Sequence, residues 1–211
     1  MELILIRHGL PLRQENAAGQ PADPPLSEEG RAQAAAVAAW LAAEPFEALY
    51  TSPLRRARET AAPLARAQEL QVRVEPDVIE LDHESDRYVP LEELKVEDPE
   101  AWRALLTAEG YGGVDVPAFR QRVVGALERI IERHQGGRVA VACHGGVVNA
   151  WASHLLGLEE PLFFEPAYTS VSRFLAARSG ERSIRSLNET GHLRSLGGSA
   201  RNGLAWPPTR E

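Results

Sequence analysis

The 211-residue chain contains a single cysteine, Cys143. No internal disulfide can form, and no zinc site built on several thiolates is available. No stretch approaches the roughly 20 apolar residues that a membrane helix needs. The N-terminus lacks a basic segment ahead of its short apolar run, so a signal peptide is not read there either. Basic charge is also scarce: 23 Lys and Arg stand against 30 Asp and Glu, a net charge of −7. Nucleic acid and anionic membrane are thereby disfavoured as partners, and any anion site must be a local concentration of arginine. There is no internal repeat and no low-complexity tract. The expectation is a cytoplasmic protein.

What the chain does have is the composition of an ordinary globular protein, 44% apolar and 25% charged over 23.1 kDa. That suffices for a sizeable core, and the length fits one α/β domain with or without an elaborated cap. The chain opens on Leu3-Ile4-Leu5-Ile6, which runs straight into Arg7-His8-Gly9. A short unbroken apolar run closed by a turn signal reads as a buried parallel strand. Groups at the carboxyl end of such a strand face the crevice where open α/β sheets bind ligands. Arg7 and His8 are therefore expected on the floor of a site, with Gly9 allowing a sharp turn and the close approach of a ligand. A second delivery of this kind comes late in the chain. Arg138–Cys143 is the clearest buried strand, and it leads into His144-Gly145-Gly146 and a helix over about 147–156. Cys143, among apolar neighbours, reads as a strand residue rather than a nucleophile.

Between these two points the chain alternates strands and helices. The loop over 10–27 ends at Ser27, a good N-cap for an alanine-rich helix reaching about Ala43, and Glu28 and Glu29 suit its positive end. A strand over Ala48–Thr51 leads to Ser52-Pro53-Leu54-Arg55-Arg56-Ala57-Arg58-Glu59-Thr60. Ser52 is expected to cap the following helix and Pro53 to occupy its first turn. A helix N-terminus is an anion site, and arginines there reinforce it. A third strand, Val72–Val74, precedes Glu80. Its apolar neighbours raise the proton affinity of its carboxyl, as a general acid requires; Asp82 is the competing acid. The run Asp82, His83, Glu84 and Asp86 has no recognisable metal-ligand spacing and reads as a solvated loop.

Residues 83–117 are broken by Pro90, Pro99, Gly110, Gly112, Gly113 and Pro117 into short helical pieces, one of them over 100–109. They read as an acidic insertion rather than a βα unit. An amphipathic helix follows over 117–134. Leu162-Phe163-Phe164 reads as core, with a dimer contact as the other reading. A hairpin over 170–177 and 183–187 precedes Asn188–Leu193, which reads as structural, and a loose tail begins near 197. His83, His134 and His154 stand in no motif and are assigned no chemistry.

Taken in order, Arg7-His8-Gly9, the Ser52–Thr60 segment, Glu80 and His144-Gly145-Gly146 resemble the signature motifs of the histidine phosphatase superfamily, the phosphoglycerate mutase-like proteins. Asn188 to Leu193 resembles the family's closing segment. The resemblance implies an α/β fold, a three-layer αβα sandwich with a mostly parallel central sheet and a small helical cap insertion over 83–117. Residues 1–211 would form one domain. It further implies that His8 attacks phosphorus and becomes a phosphohistidine, that Arg7, Arg56 and His144 bind phosphate, and that Glu80 protonates the leaving oxygen and then activates water. Arginine and histidine cations would supply the charge that a metal supplies elsewhere, so no metal and no cofactor are expected.

The implied activity is hydrolysis of a phosphoric monoester, of the histidine acid phosphatase type, on a small phosphorylated metabolite. Phosphoglycerate mutase-type transfer and a non-catalytic phospholigand-binding protein are the alternatives. The acidic insertion would repel a substrate with several phosphates. A homodimer stays open. One departure from the family pattern is Leu10-Pro11, where polar residues are usual and a hydroxyl contact to phosphate is lost.

Overall fold

The computed structural model describes residues 1–105, 115–159 and 162–196. Its elements run β1 (Glu2–Arg7), β2 (Gln14–Glu15), α1 (Glu28–Leu41), β3 (Ala48–Thr51), α2 (Arg55–Ala67), β4 (Val72–Val74), β5 (Arg87–Tyr88), α3 (Leu91–Glu97), α4 (Pro99–Leu105), α5 (Val116–Arg133), β6 (Arg138–Cys143), α6 (Gly145–Leu156), β7 (Val171–Ala176) and β8 (Arg182–Glu189). Short 3-10 turns at Pro76–Val78 and Gly191–Ser195 complete them.

β1 is buried along its whole length, and its two faces serve different cores. Leu3 and Leu5 pack with Val139, Val141, Leu127 and Trp151. Ile4 and Ile6 pack with Leu49, Val37, Leu41 and Leu64. A strand covered on both faces has no polar side to alternate with, which is why the sequence shows a continuous apolar run. Among the described residues the main sheet has strand order β4-β3-β6-β1-β7-β8. β1, β3, β4 and β6 are mutually parallel, while β7 runs against β1 and β8 against β7. Helices α1 and α2 cover one face, and α5 and α6 cover the other. This is the three-layer αβα arrangement with a mostly parallel sheet that the resemblance implied.

The caps explain the boundaries. Ser27 accepts the Gly30 N–H at 3.0 Å and starts α1, which ends at Leu41 rather than near Ala43. Asp115 accepts the Ala118 N–H at 2.9 Å and starts α5. α6 begins at Gly145, two residues earlier than expected. Phe163 and Phe164 pack against the α5–α6 core, as the core reading had it.

A two-stranded ribbon, with Gln14 opposite Tyr88 and Glu15 opposite Arg87, joins the loop after β1 to the start of the insertion. Two-residue strands leave no periodicity for sequence reading to find. Ion pairs then tie α3 to two loops: Arg13 meets Glu97 at 2.7 Å, and Lys95 meets Glu165 at 2.7 Å. The helical piece expected over 100–109 is α4 as far as Leu105. Its remainder, Gly110 to Gly113 and the tail from 197 lie outside the described residues. Among those described, no helix is long and apolar enough to cross a membrane.

Candidate active site

Sheet register brings the site together. Arg7 pairs with Cys143, and Thr51 with Ala142, so three parallel strands end on nearly one line. The residues that follow, His8, His144 and Ser52, emerge side by side. The ladder continues one step beyond the strands: the His8 N–H donates to the Cys143 carbonyl at 2.9 Å, and the Ser52 N–H to that of Ala142 at 3.0 Å. The two imidazole rings stand 5.1 Å apart and nearly edge to face.

His8 Nδ1 lies 2.8 Å from the Gly9 carbonyl. A carbonyl only accepts, so Nδ1 carries the ring proton and Nε2 keeps its lone pair. Burial, then the charges of Arg56 and Arg7, push the pKa of His8 well below the usual 6.5. The ring is therefore neutral at ordinary pH.

Arg56, near the start of α2, is 1% exposed, and its Nε and Nη1 have no hydrogen-bond partner among the described residues. Two carboxylates form long ion pairs with it, beyond hydrogen-bond distance: Asp82 lies 3.7 Å from Nη2 and Asp23 4.0 Å from Nη1. A desolvated guanidinium with unused donors is a site for an anion. The Tyr88 ring lies 4.7 Å below its Cζ. Arg7 is also buried. Its Nη1 donates to the Pro166 carbonyl, and its Cζ sits 3.9 Å over the Tyr168 ring.

His144 Nε2 is 2.7 Å from the Ser52 hydroxyl. Burial, Arg56, His8 and Arg7, in that order, hold its pKa well below 6.5. Burial and the neighbouring arginines therefore oppose the histidine cation that the resemblance implied at His144, and the arginines carry the positive charge of the site. Ser52 also departs from expectation. Its hydroxyl faces His144 across the sheet instead of capping α2, whose N-cap is Leu54, with Pro53 outside the helix. Asp23 takes over from the preceding loop, accepting the Arg55 N–H at 2.8 Å.

Glu80 lies against the first turn of α6. Oε2 accepts the Gly146 N–H at 3.0 Å, and Oε1 accepts that of Leu81 at 2.9 Å. Burial first, and the Asp82 charge second, raise its pKa above the usual 4.5. Asp82 itself is exposed at the rim. Of the two candidate acids, Glu80 is thus the covered one, and Asp82 acts on it and on Arg56.

Gly9 has another reason than ligand approach. A Cβ there would lie 2.6 Å from the Gly30 carbonyl oxygen, so the loop after β1 rests directly on α1. Beyond it, the Leu10 N–H donates to Gln33 Oε1 at 2.9 Å, and the Leu10 carbonyl accepts from Ser27. Thr60 closes the arrangement. Its hydroxyl accepts the Gly9 N–H at 3.0 Å and donates to the Arg56 carbonyl at 2.7 Å, which binds the histidine loop to the arginine helix. That role, and those of Tyr88 and Tyr168, were not read from sequence. Thr60 stood within a quoted motif, whereas the two tyrosines carry no sequence signal. Among the described residues, no group of three or more His, Cys, Asp or Glu is arranged to hold a metal ion.

Fold and site together define an α/β protein that gathers two buried arginines, two neutral histidines and one raised carboxyl at the ends of parallel strands, an arrangement suited to a phosphate group. A model of the histidine phosphatase superfamily (branch 1) matches residues 3–190, and the chain belongs to that family. It is 32% identical over 201 residues to phosphoserine phosphatase 1 of Hydrogenobacter thermophilus, spanning 92% of this chain and 94% of that one. It is 34% identical over 164 residues to a metal-independent phosphoserine phosphatase of Arabidopsis thaliana, spanning 71% and 66%. Among solved structures, mycobacterial glucosyl-3-phosphoglycerate phosphatase shares the fold with a TM-score of 0.72 at 23% identity, over 90% of this chain and 99% of that one. A phosphoserine phosphatase of Entamoeba histolytica in complex with phosphoserine does so with a TM-score of 0.71 at 22% identity, over 91% and 98%.

Proposed function

We propose that the protein is a metal-independent phosphomonoesterase, of the histidine acid phosphatase type, that works through a phosphohistidine on His8. The observation that carries this reading is the His8 ring itself. Its proton is held on Nδ1 by the Gly9 carbonyl, its Nε2 lone pair is available, and it is kept neutral between two arginines. A nucleophile needs that protonation state, and covalent catalysis by histidine needs that nitrogen.

In the first step the Nε2 lone pair attacks phosphorus and the bond to the ester oxygen breaks. Glu80, whose raised pKa favours the carboxylic acid, gives its proton to the leaving oxygen. In the second step water attacks the phosphohistidine and Glu80 takes up its proton. Phosphate leaves with the P–N bond broken. Arg7, and Arg56 through its unused Nε and Nη1, hold the nonbridging oxygens. The Ser52 hydroxyl accepts the Leu54 N–H and is free to donate to His144 Nε2. That puts the His144 proton on Nδ1, a buried atom with no other partner among the described residues, for the phosphate to accept.

The substrate is a small monoester. Asp23 and Asp82 at the rim of the Arg56 site oppose a second phosphate, which weighs against mutase-type transfer. The sequence relatives named above are phosphoserine phosphatases, so phosphoserine is the first metabolite to try. We further propose that residues 83–117 act as a cap on this one domain.

The test is hydrolysis of p-nitrophenyl phosphate and of phosphoserine in excess EDTA, by wild type and His8→Ala. Turnover that survives EDTA and disappears in the variant supports the reading; activity undiminished in His8→Ala overturns it.

A further inference from the structure

The closing segment reaches the phosphate site through one strained loop. His192 is buried and lies against Trp40 of α1, ring centroids 5.1 Å apart and 28° from parallel. Its Nε2 is 3.0 Å from the Thr169 hydroxyl oxygen. That hydroxyl gives its own proton to the Tyr168 carbonyl at 2.7 Å, so toward His192 the oxygen accepts and Nε2–H donates.

Thr169 has φ +55°, in the left-handed region where a β-branched side chain is rarely found. Such a residue keeps its conformation only when its surroundings hold it there. Here the Thr169 N–H donates to the His8 carbonyl at 3.2 Å, while His192 holds the side chain. Asn188, with φ +57°, secures the start of the loop by accepting the Ala167 N–H at 2.7 Å.

Three residues of the turn over 166–170, the turn that holds Thr169, grip Arg7. The Ser170 carbonyl accepts its backbone N–H at 3.1 Å, the Pro166 carbonyl accepts from Nη1, and the Tyr168 ring lies under its guanidinium. Tyr168 also stands 5.7 Å from the His8 ring.

We propose that His192 is a positioning residue for the phosphate site: acting through Thr169, it fixes the turn over 166–170 and with it the aim of the Arg7 guanidinium. It touches no reacting atom. The inference rests on the reading of Arg7 as a phosphate ligand.

The experiment compares His192→Leu, which keeps bulk against Trp40 but has no donor, with His192→Gln, which restores one. Affinity for inorganic phosphate is measured by calorimetry, and KM and kcat with p-nitrophenyl phosphate. His192→Leu is expected to weaken phosphate binding and raise KM together by about tenfold, the worth of one hydrogen bond to a charged group. Its kcat stays within about twofold, and His192→Gln recovers most of the loss. Thr169→Gly accepts the left-handed turn without steric cost and removes the hydroxyl. It should reproduce the leucine variant, and it replaces that variant if His192→Leu does not fold.

Unchanged phosphate affinity in both His192→Leu and Thr169→Gly overturns the proposal. So does a fall in kcat without a change in KM and without recovery in His192→Gln, the pattern of lost packing alone. Failure of the phosphatase reading looks different: His8→Ala would hydrolyse as wild type does, while the calorimetric comparison would still report on His192.

Discussion

Glu80 and Gly146 share one space: the carboxylate accepts the Gly146 N–H at 3.0 Å, and a Cβ on Gly146 would stand 3.2 Å from Glu80 Cδ and collide with Oε1. The second glycine of His144-Gly145-Gly146 is therefore required by the acid that sits on it. Gly145 is different, since a Cβ there would meet Arg7 Nε at 3.7 Å, an ordinary contact. Gly146→Ala should displace Glu80 and lower kcat by about a hundredfold, the usual scale of a general acid's contribution. Gly145→Ala should leave kcat within about threefold. Steady-state kinetics on the two variants, with thermal denaturation to establish folding, checks the pair; equal behaviour would mean that Glu80 is not held as described.

Asp82 gives a prediction with a definite sign. Its charge is the second cause of the raised pKa of Glu80, after burial. The first chemical step needs Glu80 protonated, so kcat/KM falls as pH rises through that raised pKa. His8 must be unprotonated, and its lowered pKa keeps it so well into acid. The profile should therefore favour acid pH. In Asp82→Asn the Glu80 pKa drops and the alkaline limb of kcat/KM moves to lower pH. A limb that stays in place, or moves up, would assign that ionisation to another group.

Thr60 links the two halves of the site by accepting from Gly9 and donating to the Arg56 carbonyl. Thr60→Val keeps the shape and loses both bonds; the Arg56 carbonyl keeps its helical partner in α2, but the buried Gly9 N–H is left unpaired. The expected cost is about 2 kcal/mol of stability in urea unfolding. Because the loop carrying His8 is no longer tied to α2, kcat/KM should also fall by about tenfold in protein that remains folded. Thr60→Ser, which keeps the hydroxyl, should recover most of both.

The framework was legible where the physics is local. β1 and β6 are unbroken apolar runs because both faces are covered, and Ser27 starts α1 through its own hydroxyl three residues on. The histidines and Arg7 were legible because strand ends are where such groups collect, and Arg56 was singled out from Arg55 and Arg58 by the resemblance. What sequence could not reveal depends on partners far along the chain. Ser52 looked like a cap until His144, 92 residues away, took its hydroxyl, and the N-terminus of α2 went to Asp23, 32 residues earlier. Tyr88 and Tyr168 reach the arginines from segments with no motif. The charge state of His144 was also hidden, since it follows from burial beside two arginines and not from the residue's identity.

That charge state makes stability depend on pH. His8 and His144 both have pKa values well below 6.5 in the folded protein because burial and the arginines oppose the charged ring. As pH falls through about 6.5, the unfolded chain binds protons at both rings that the folded protein refuses. Stability should then fall by about 1.4 kcal/mol per pH unit for each histidine. Glu80 works in the opposite sense. Its raised pKa lets the folded protein keep a proton that the unfolded chain has released, so it offsets part of the loss where it titrates. Urea unfolding at pH 7.5, 6 and 5 should give declining stability, with a shallower decline in His144→Gln. A flat wild-type profile would mean that the folded protein takes up protons at these rings as readily as the unfolded chain does.

Arg173 tests stability away from the site. On β7 it is 8% exposed and meets Glu44 through two bonds of 2.6 and 2.8 Å, Glu189 at 3.1 Å and Glu2 at 3.5 Å. Glu2, also buried, keeps Arg138 at 2.7 Å and Arg185 at 3.0 Å. Glu44 depends mainly on Arg173, whose hydrogen bonds are the first cause of its lowered pKa. Removing the arginine leaves carboxylates partly desolvated with fewer donors, and breaking a buried pair costs more than the pair is worth against an apolar substitute. Arg173→Ala is expected to cost about 3 kcal/mol, discounted at the exposed edge of Glu44. None of these residues belongs to the phosphate site, so kcat and KM of the folded variant should match wild type. A double variant, Arg173→Met with Glu44→Leu, should regain much of the lost stability if burial of the unpaired charge is the cause. If the double variant is no more stable than Arg173→Ala, the loss comes from packing along β7 instead.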